Sequence, residues 1–328
     1  MLTRRTVLVI IGLGLLANPL RAVTQQRSRV FRIGYLVPGS ASAYASRLEA
    51  FKQGLGKLGY TEGKNFVIEY RWADGKYERL PDLAAELVRL KLDLIVTQTT
   101  PPTQAAQQAT STIPIVMVSV GNPVEIGLVA SLARPGGNTT GVANFVGDTS
   151  AKQLDLLAAT VPKLSRVAVL MNPANPSSKV IVKDVQTVAQ AIGVRIILTQ
   201  AQTPAEIEQA FSVMTKDRAQ ALLLLGDGYF FQQRVQITEL AAKARLPAIY
   251  NIREYAEVGG LMSYGANALE ITRRAAAYAD RILKGAKPAD IPVERPNTLE
   301  LVINRKTEKA LGIRFPGEML LRADKIIE

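Results

Sequence analysis

Gly193-Val-Arg-Ile-Ile-Leu-Thr199, then the helix-periodic Ala205–Met214, then the wholly apolar Ala221-Leu-Leu-Leu-Leu225, is the stretch whose reading settles the fold. A short apolar run bounded by turn residues reads as a buried strand, and strands alternating with amphipathic helices imply a parallel sheet covered on both faces. The same order occurs earlier. A helix over Ala41–Leu58 closes at Gly59, a β-rich run covers Asn65–Trp72, and helix Leu80–Leu90 leads into strand Leu92–Thr97. In the later half a helix over Lys179–Ile192 closes at Gly193, a normal helix C-cap, and the quoted stretch follows. One unit used twice predicts an α/β protein of two doubly wound parallel-sheet lobes around a central cleft. Ligand loops then lie beyond the carboxyl ends of the strands.

The remaining elements fit this frame. Strands are expected at Phe31–Val37, Ile113–Val120, Gly141–Val146, Arg166–Met171, Pro247–Tyr250 and Gly260–Tyr264. Helices are expected at Thr103–Ala109, Ala151–Thr160, Phe231–Ala244 and Leu269–Leu283.

Composition removes whole classes of chemistry. The 328 residues, about two domains' worth, contain no cysteine and no histidine. Disulfides, thiol nucleophiles and thiolate metal sites are excluded, and the commonest general base and metal ligand is missing. No metal site and no cofactor is expected. The net charge is +12, but the basic residues are dispersed beside acids, as at Arg253-Glu254 and Glu308-Lys309. No aromatic-interleaved basic run appears, so nucleic acid is not an expected partner. At the N-terminus, Arg4 and Arg5 precede a short apolar segment from Thr6 to Ala17. That segment is too short to span a bilayer and reads as an export signal over residues 1–22, by the general or the twin-arginine route.

Two spellings invite over-reading. Gly54-Leu-Gly56-Lys-Leu-Gly59 matches a dinucleotide fingerprint, but it ends a helix instead of following a strand, and Gly59 reads as a cap. Asn138-Thr139-Thr140 spells a glycosylation site and reads as a turn after Pro135-Gly136-Gly137. The informative residues stand at strand ends: Ser40 and Tyr44, Thr99 and Thr100, Gly121 and Asn122, Asn175 and Ser177, Asp227, Tyr250 and Asn251, and Tyr264. Small hydroxyls and glycines at helix starts let backbone N–H groups reach an anion. Tyrosines can stack on a ring, and Asp227 can accept an ammonium group. Each Ser, Thr or Asn can also simply cap the next helix. Asp227 is the strongest single candidate, because it ends a wholly apolar strand where a cap needs no charge.

At these loops the sequence resembles the ABC-transporter substrate-binding proteins of the type I periplasmic binding fold, the family that includes tryptophan- and tyrosine-binding members. The matching stretches include Phe31-Arg-Ile-Gly-Tyr35, Gly121-Asn-Pro-Val124, Leu132-Ala-Arg-Pro-Gly-Gly-Asn138, Gly259-Gly-Leu-Met-Ser-Tyr-Gly265 and Ile282-Leu-Lys-Gly-Ala-Lys-Pro-Ala-Asp-Ile-Pro-Val-Glu294. The resemblance implies an N-terminal lobe of residues 30–143 plus 266–290 and a C-terminal lobe of 144–265 plus 291–328. It implies a periplasmic monomer that captures a small solute, an amino acid or an aromatic carboxylate, and hands it to an ABC permease without catalysis. Where aromatic-amino-acid binders of the family carry a Thr-Asp-Asn-like run, this chain reads Gly226-Asp227-Gly228. A periplasmic sensor would need the same cleft. An exported enzyme would have to rely on a carboxylate pair such as Asp227 with Glu254.

Overall fold

Residues 29–144, 146–296 and 298–328 are described by a computed structural model. The export signal read over residues 1–22 lies outside the described residues. Five strands, β1 (Phe31–Val37), β2 (Phe66–Trp72), β3 (Leu94–Gln98), β4 (Ile115–Gly121) and β5 (Thr139–Asn144), form one parallel sheet in the order β2-β1-β3-β4-β5. Seven more, β6 (Arg166–Met171), β7 (Arg195–Gln200), β8 (Ala221–Leu224), β9 (Ala248–Tyr250), β10 (Met262–Gly265), β11 (Glu300–Asn304) and β12 (Lys325–Ile327), form the second. Its order is β12-β11-β10-β9-β8-β6-β7. Read from β7 to β10, the second sheet repeats the strand order of the first. Each sheet reverses its winding once, between β1 and β3 and between β6 and β8, and such switch points are where open α/β sheets bind ligands.

The apolar runs read from sequence form the centres of these sheets. Every residue of β8 is buried, as are all of β3 and nearly all of β4 and β6. The largest apolar cluster passes through both lobes. It joins Tyr44 of the first to Phe230 and Phe231 of the second.

Details of the expected elements are corrected. The first sheet is wholly parallel, and the second is parallel except that β10 pairs antiparallel with β11. β11 and β12, only five and three residues long and at the sheet's far edge, are not among the expected strands. The helix expected over Phe231–Ala244 is two helices, Gly228–Gln232 and Arg234–Lys243, broken at Gln233. Residues 291–294, expected with the second lobe, run along the first instead. Val142 of β5 bridges to Glu294, and Ala143 N–H donates to the Glu294 carbonyl at 2.9 Å, which covers the exposed edge of β5. The chain therefore passes between lobes after β5, after β10, and between Glu294 and β11.

The glycine triplet has a packing explanation. Helix Ala41–Lys57 lies along helix Ala268–Leu283. A Cβ on Gly54 would stand 2.6 Å from the Arg273 carbonyl and 2.7 Å from the Ala276 Cβ. Gly56 faces open space, and Gly59 follows the helix with φ +88°. Gly54→Ala is expected to cost about 1–3 kcal/mol by forcing the helices apart. Gly56→Ala is expected to gain about 0.5–1 kcal/mol from helix propensity. Urea denaturation of the two variants checks the opposite signs.

Candidate functional site

The loops at the two switch points face each other across a narrow cleft. Its wall includes Thr99 and Thr100 beyond β3, Asn175 and Ser177 beyond β6, and Asp227 beyond β8. The lobes touch across it. Thr100 Oγ1 and Ser177 Oγ lie 2.9 Å apart, and Ser177 Oγ donates to the Gly121 carbonyl at 2.8 Å. The backbone N–H of Ser40 donates to Gln232 Oε1 at 3.0 Å. The remaining cavity is about 40 Å³, room for the centres of only a few waters at ~10–15 Å³ each.

Asp227 sits at the middle of this seam, 7% exposed. Its Oδ1 accepts from Asn172 Nδ2 at 3.0 Å and from the N–H groups of Tyr229 and Phe230 at 2.9 and 3.3 Å. Its Oδ2 accepts from Asn175 Nδ2 and, across the cleft, from the Tyr77 hydroxyl, both at 3.0 Å. Asp227 is thus the N-cap of helix Gly228–Gln232, the role set aside in the sequence reading. The charge has a use there: an ionised carboxylate accepts more bonds than a neutral cap, and charge-assisted bonds are stronger.

Burial pushes the Asp227 carboxyl above the ordinary carboxylate range, against the pull of its bonds from Asn172, Asn175, Tyr77 and Phe230. Because the folded value exceeds the unfolded one, the group's contribution to stability is full below the unfolded value and is lost as pH rises through the folded one. Burial, then the charge of Asp227, holds the Tyr77 hydroxyl protonated and well above its usual range, so it remains a donor. The same hydroxyl accepts from Tyr229 N–H at 2.9 Å.

The two glycines beside Asp227 are spacers. A Cβ on Gly226 would stand 2.6 Å from Asn251 Nδ2. One on Gly228 would stand 2.4 Å from Pro38 Cγ in the opposite lobe. Backbone strain gathers at the same edge. Thr99 has φ +67° and ψ −179°, a conformation natural only to glycine, and Ser119 and Asn122 have φ +60° and +45°. Ser119 occupies the register shift between Val118 and Val120.

A family model for ABC transporter substrate binding proteins matches residues 32–327. The chain belongs to that family. The curated "Tyrosine-binding protein" of Clostridioides difficile (strain R20291) is 29% identical over 266 residues, 81% of this chain and 76% of that protein. A Streptococcus pneumonia ABC domain solved in complex with L-Trp has 26% identity and a TM-score of 0.85, covering 90% of this chain and 99% of that one. The ligand-free, open structure of a substrate binding protein with adhesive properties from Clostridium difficile has 27% identity over the same shares, with a TM-score of 0.65. The architecture is that of the type I periplasmic binding proteins.

In this substrate-binding protein Thr99, Thr100, Gly121, Asn175, Ser177, Asp227 and Asn251 all line the cleft. Five other candidates stand elsewhere. Ser40 caps helix Ala41–Lys57, accepting from Ala43 N–H at 3.3 Å. Tyr44 is wholly buried at the seam, and its hydroxyl donates to the Gly228 carbonyl at 3.4 Å. Asn122 turns to Glu125 Oε2 at 3.1 Å. Tyr250 stacks on Tyr255 within the core, ring centroids 4.7 Å apart. Tyr264 lines a separate surface depression with Leu301 and Met319. Alternation explains the last two. Strand side chains point to opposite faces, so a strand-end position does not aim its side chain beyond the strand.

The expected backbone anion contacts are also reduced. Helices Thr100–Ala109 and Pro176–Ala191 direct their N-termini at the cleft, but Pro101, Pro102 and Pro176 lack N–H groups. The N–H of Ser177 is taken by Asn175 Oδ1 at 3.1 Å.

Cleft residues the sequence did not disclose include Arg47, Asn144 and Phe231. Arg47 is 4% exposed, with its guanidinium 4.1 Å from the Phe231 ring centroid and 5.1 Å from that of Tyr44. In sequence it is one more charge on an amphipathic helix. Tyr77→Phe is expected to lower stability at neutral pH by about 1–2 kcal/mol, and by less in acid once Asp227 is protonated. Chemical denaturation at both pH values checks it.

Proposed function

We infer that this protein is the capture component of an ABC importer, which takes up a small solute between its lobes and presents it to a membrane permease. The observation that carries the reading is the seam itself. Polar groups from both lobes meet there around a small cavity, so a solute lodged in it gains contacts to both lobes only when they are together. The two structural relatives support it. At nearly equal identity, the likeness is greater to a chain with L-Trp bound than to an open, ligand-free one. The relatives also support an amino acid as the solute class. The reading makes the protein a periplasmic monomer that binds without catalysis.

A thermal-shift screen of refolded protein over amino acids, aromatic acids, nucleosides and sugars tests the capture reading. A solute at about 100 times its Kd stabilises by roughly 2.7 kcal/mol, a shift on the order of 5 °C. The hit should also shrink the radius of gyration in solution scattering. Gly228→Ala should weaken that hit at least ~10-fold, since its methyl group would stand 2.4 Å from Pro38 Cγ of the opposite lobe. A screen without any saturable binder refutes the reading.

A further inference from the structure

Two charged side chains line the cleft among the described residues, Arg47 and Asp227. They are in opposite conditions. A carboxylate offers about four lone-pair sites, and five donors already converge on Asp227. It has no acceptor left for an ammonium group. Arg47 is more deeply buried still, and its Nε has no hydrogen-bond partner. No ion pair of Arg47 with a carboxylate is found among the described residues; Glu254, whose Oε2 is likewise buried without a hydrogen-bond partner, does not line the cavity. Thr99 Oγ1, also in the cleft wall, is buried without a partner.

A buried guanidinium that lacks an anion carries an uncompensated desolvation cost, which ring contacts offset only in part. The two helix N-termini add positive potential at the same place while their prolines withhold donors. What the cleft wall still offers a ligand is therefore the Arg47 guanidinium and the Thr99 hydroxyl, both side-chain donors. Phe231, Ile181 and Ile252 supply an apolar wall beside it.

We propose that the cleft, with its lobes further apart than the about 40 Å³ left between them here, takes a monocarboxylate with an apolar or aromatic body and no ammonium group, its carboxylate held by Arg47 and Thr99 and its body against Phe231. The proposal rests on the capture reading above and narrows its solute class. A zwitterionic amino acid brings an ammonium group for which the described cleft residues hold no free carboxylate.

Calorimetric titration with three compounds sharing one phenylethyl body separates the charges: 3-phenylpropanoate, L-phenylalanine and 2-phenylethylamine. The acid should bind about 10- to 100-fold more tightly than the zwitterion, and the amine not at all. Arg47→Gln should weaken the acid by a similar factor, and Arg47→Lys by less, with the melting temperature of each unliganded variant recorded. Should Arg47→Gln fail to fold, the matched series on the unaltered protein decides alone. Tighter binding of the zwitterion or of the amine overturns the proposal. So does a case in which none of the three binds while a sugar or nucleoside does, and that case leaves the capture reading standing. If no compound of either kind binds, both fall.

Discussion

One buried carboxylate and the five donors around it fix how the strand ends of the two lobes meet. Bonds from these donors act against the effect of burial on the Asp227 carboxyl, and the donors come from three parts of the fold. Asn172 and Asn175 tie it to the turn after β6. The N–H groups of Tyr229 and Phe230 tie it to the helix it starts. Tyr77 reaches it from the other lobe. The helix so anchored carries Phe231, whose ring faces Arg47 and Tyr44. The positions of the cleft's cation and its apolar wall both follow from a hydrogen-bond cluster that contains neither.

The scaffold was legible in the sequence because it obeys simple periodicities. Ala221–Leu225 and Arg166–Met171 are apolar without interruption, as strands buried on both faces must be, and Gly59 and Gly193 mark equivalent helix ends in the two lobes. What escaped notice depends on meetings of residues far apart in the chain. Arg47 looks like any surface charge until Phe231, in the other lobe, closes over it. The strain at Thr99 and Ser119 leaves no mark in residue type, since neither is a glycine. Tyr250 and Tyr264 were read as cleft tyrosines from position alone, and the pleat turns them elsewhere. Asp227 was found, but its role as a cap was not, because its partners come from residues 77, 172 and 175.

The Gly-Asp-Gly sequence shows how a local departure can carry structural meaning. Larger residues on either side of the carboxylate would meet Asn251 on one side and Pro38 on the other. Small neighbours let the lobes approach, and that approach closes the aromatic seam through Tyr44, Phe230 and Phe231 into one continuous cluster. Tight apposition and a small cavity are therefore the same fact seen from two sides.

The three passages of chain between the lobes have a mechanical consequence. A single tether would let one lobe swing and twist freely about it. Three tethers remove the twist and the slide and leave bending about the line through them as the soft motion. On the proposed capture reading, the cleft gapes on the side away from the tethers, as a book opens away from its spine. A solute that joins the two pages has to order a single angle, so little of its contact energy is needed to offset lost freedom of the lobes.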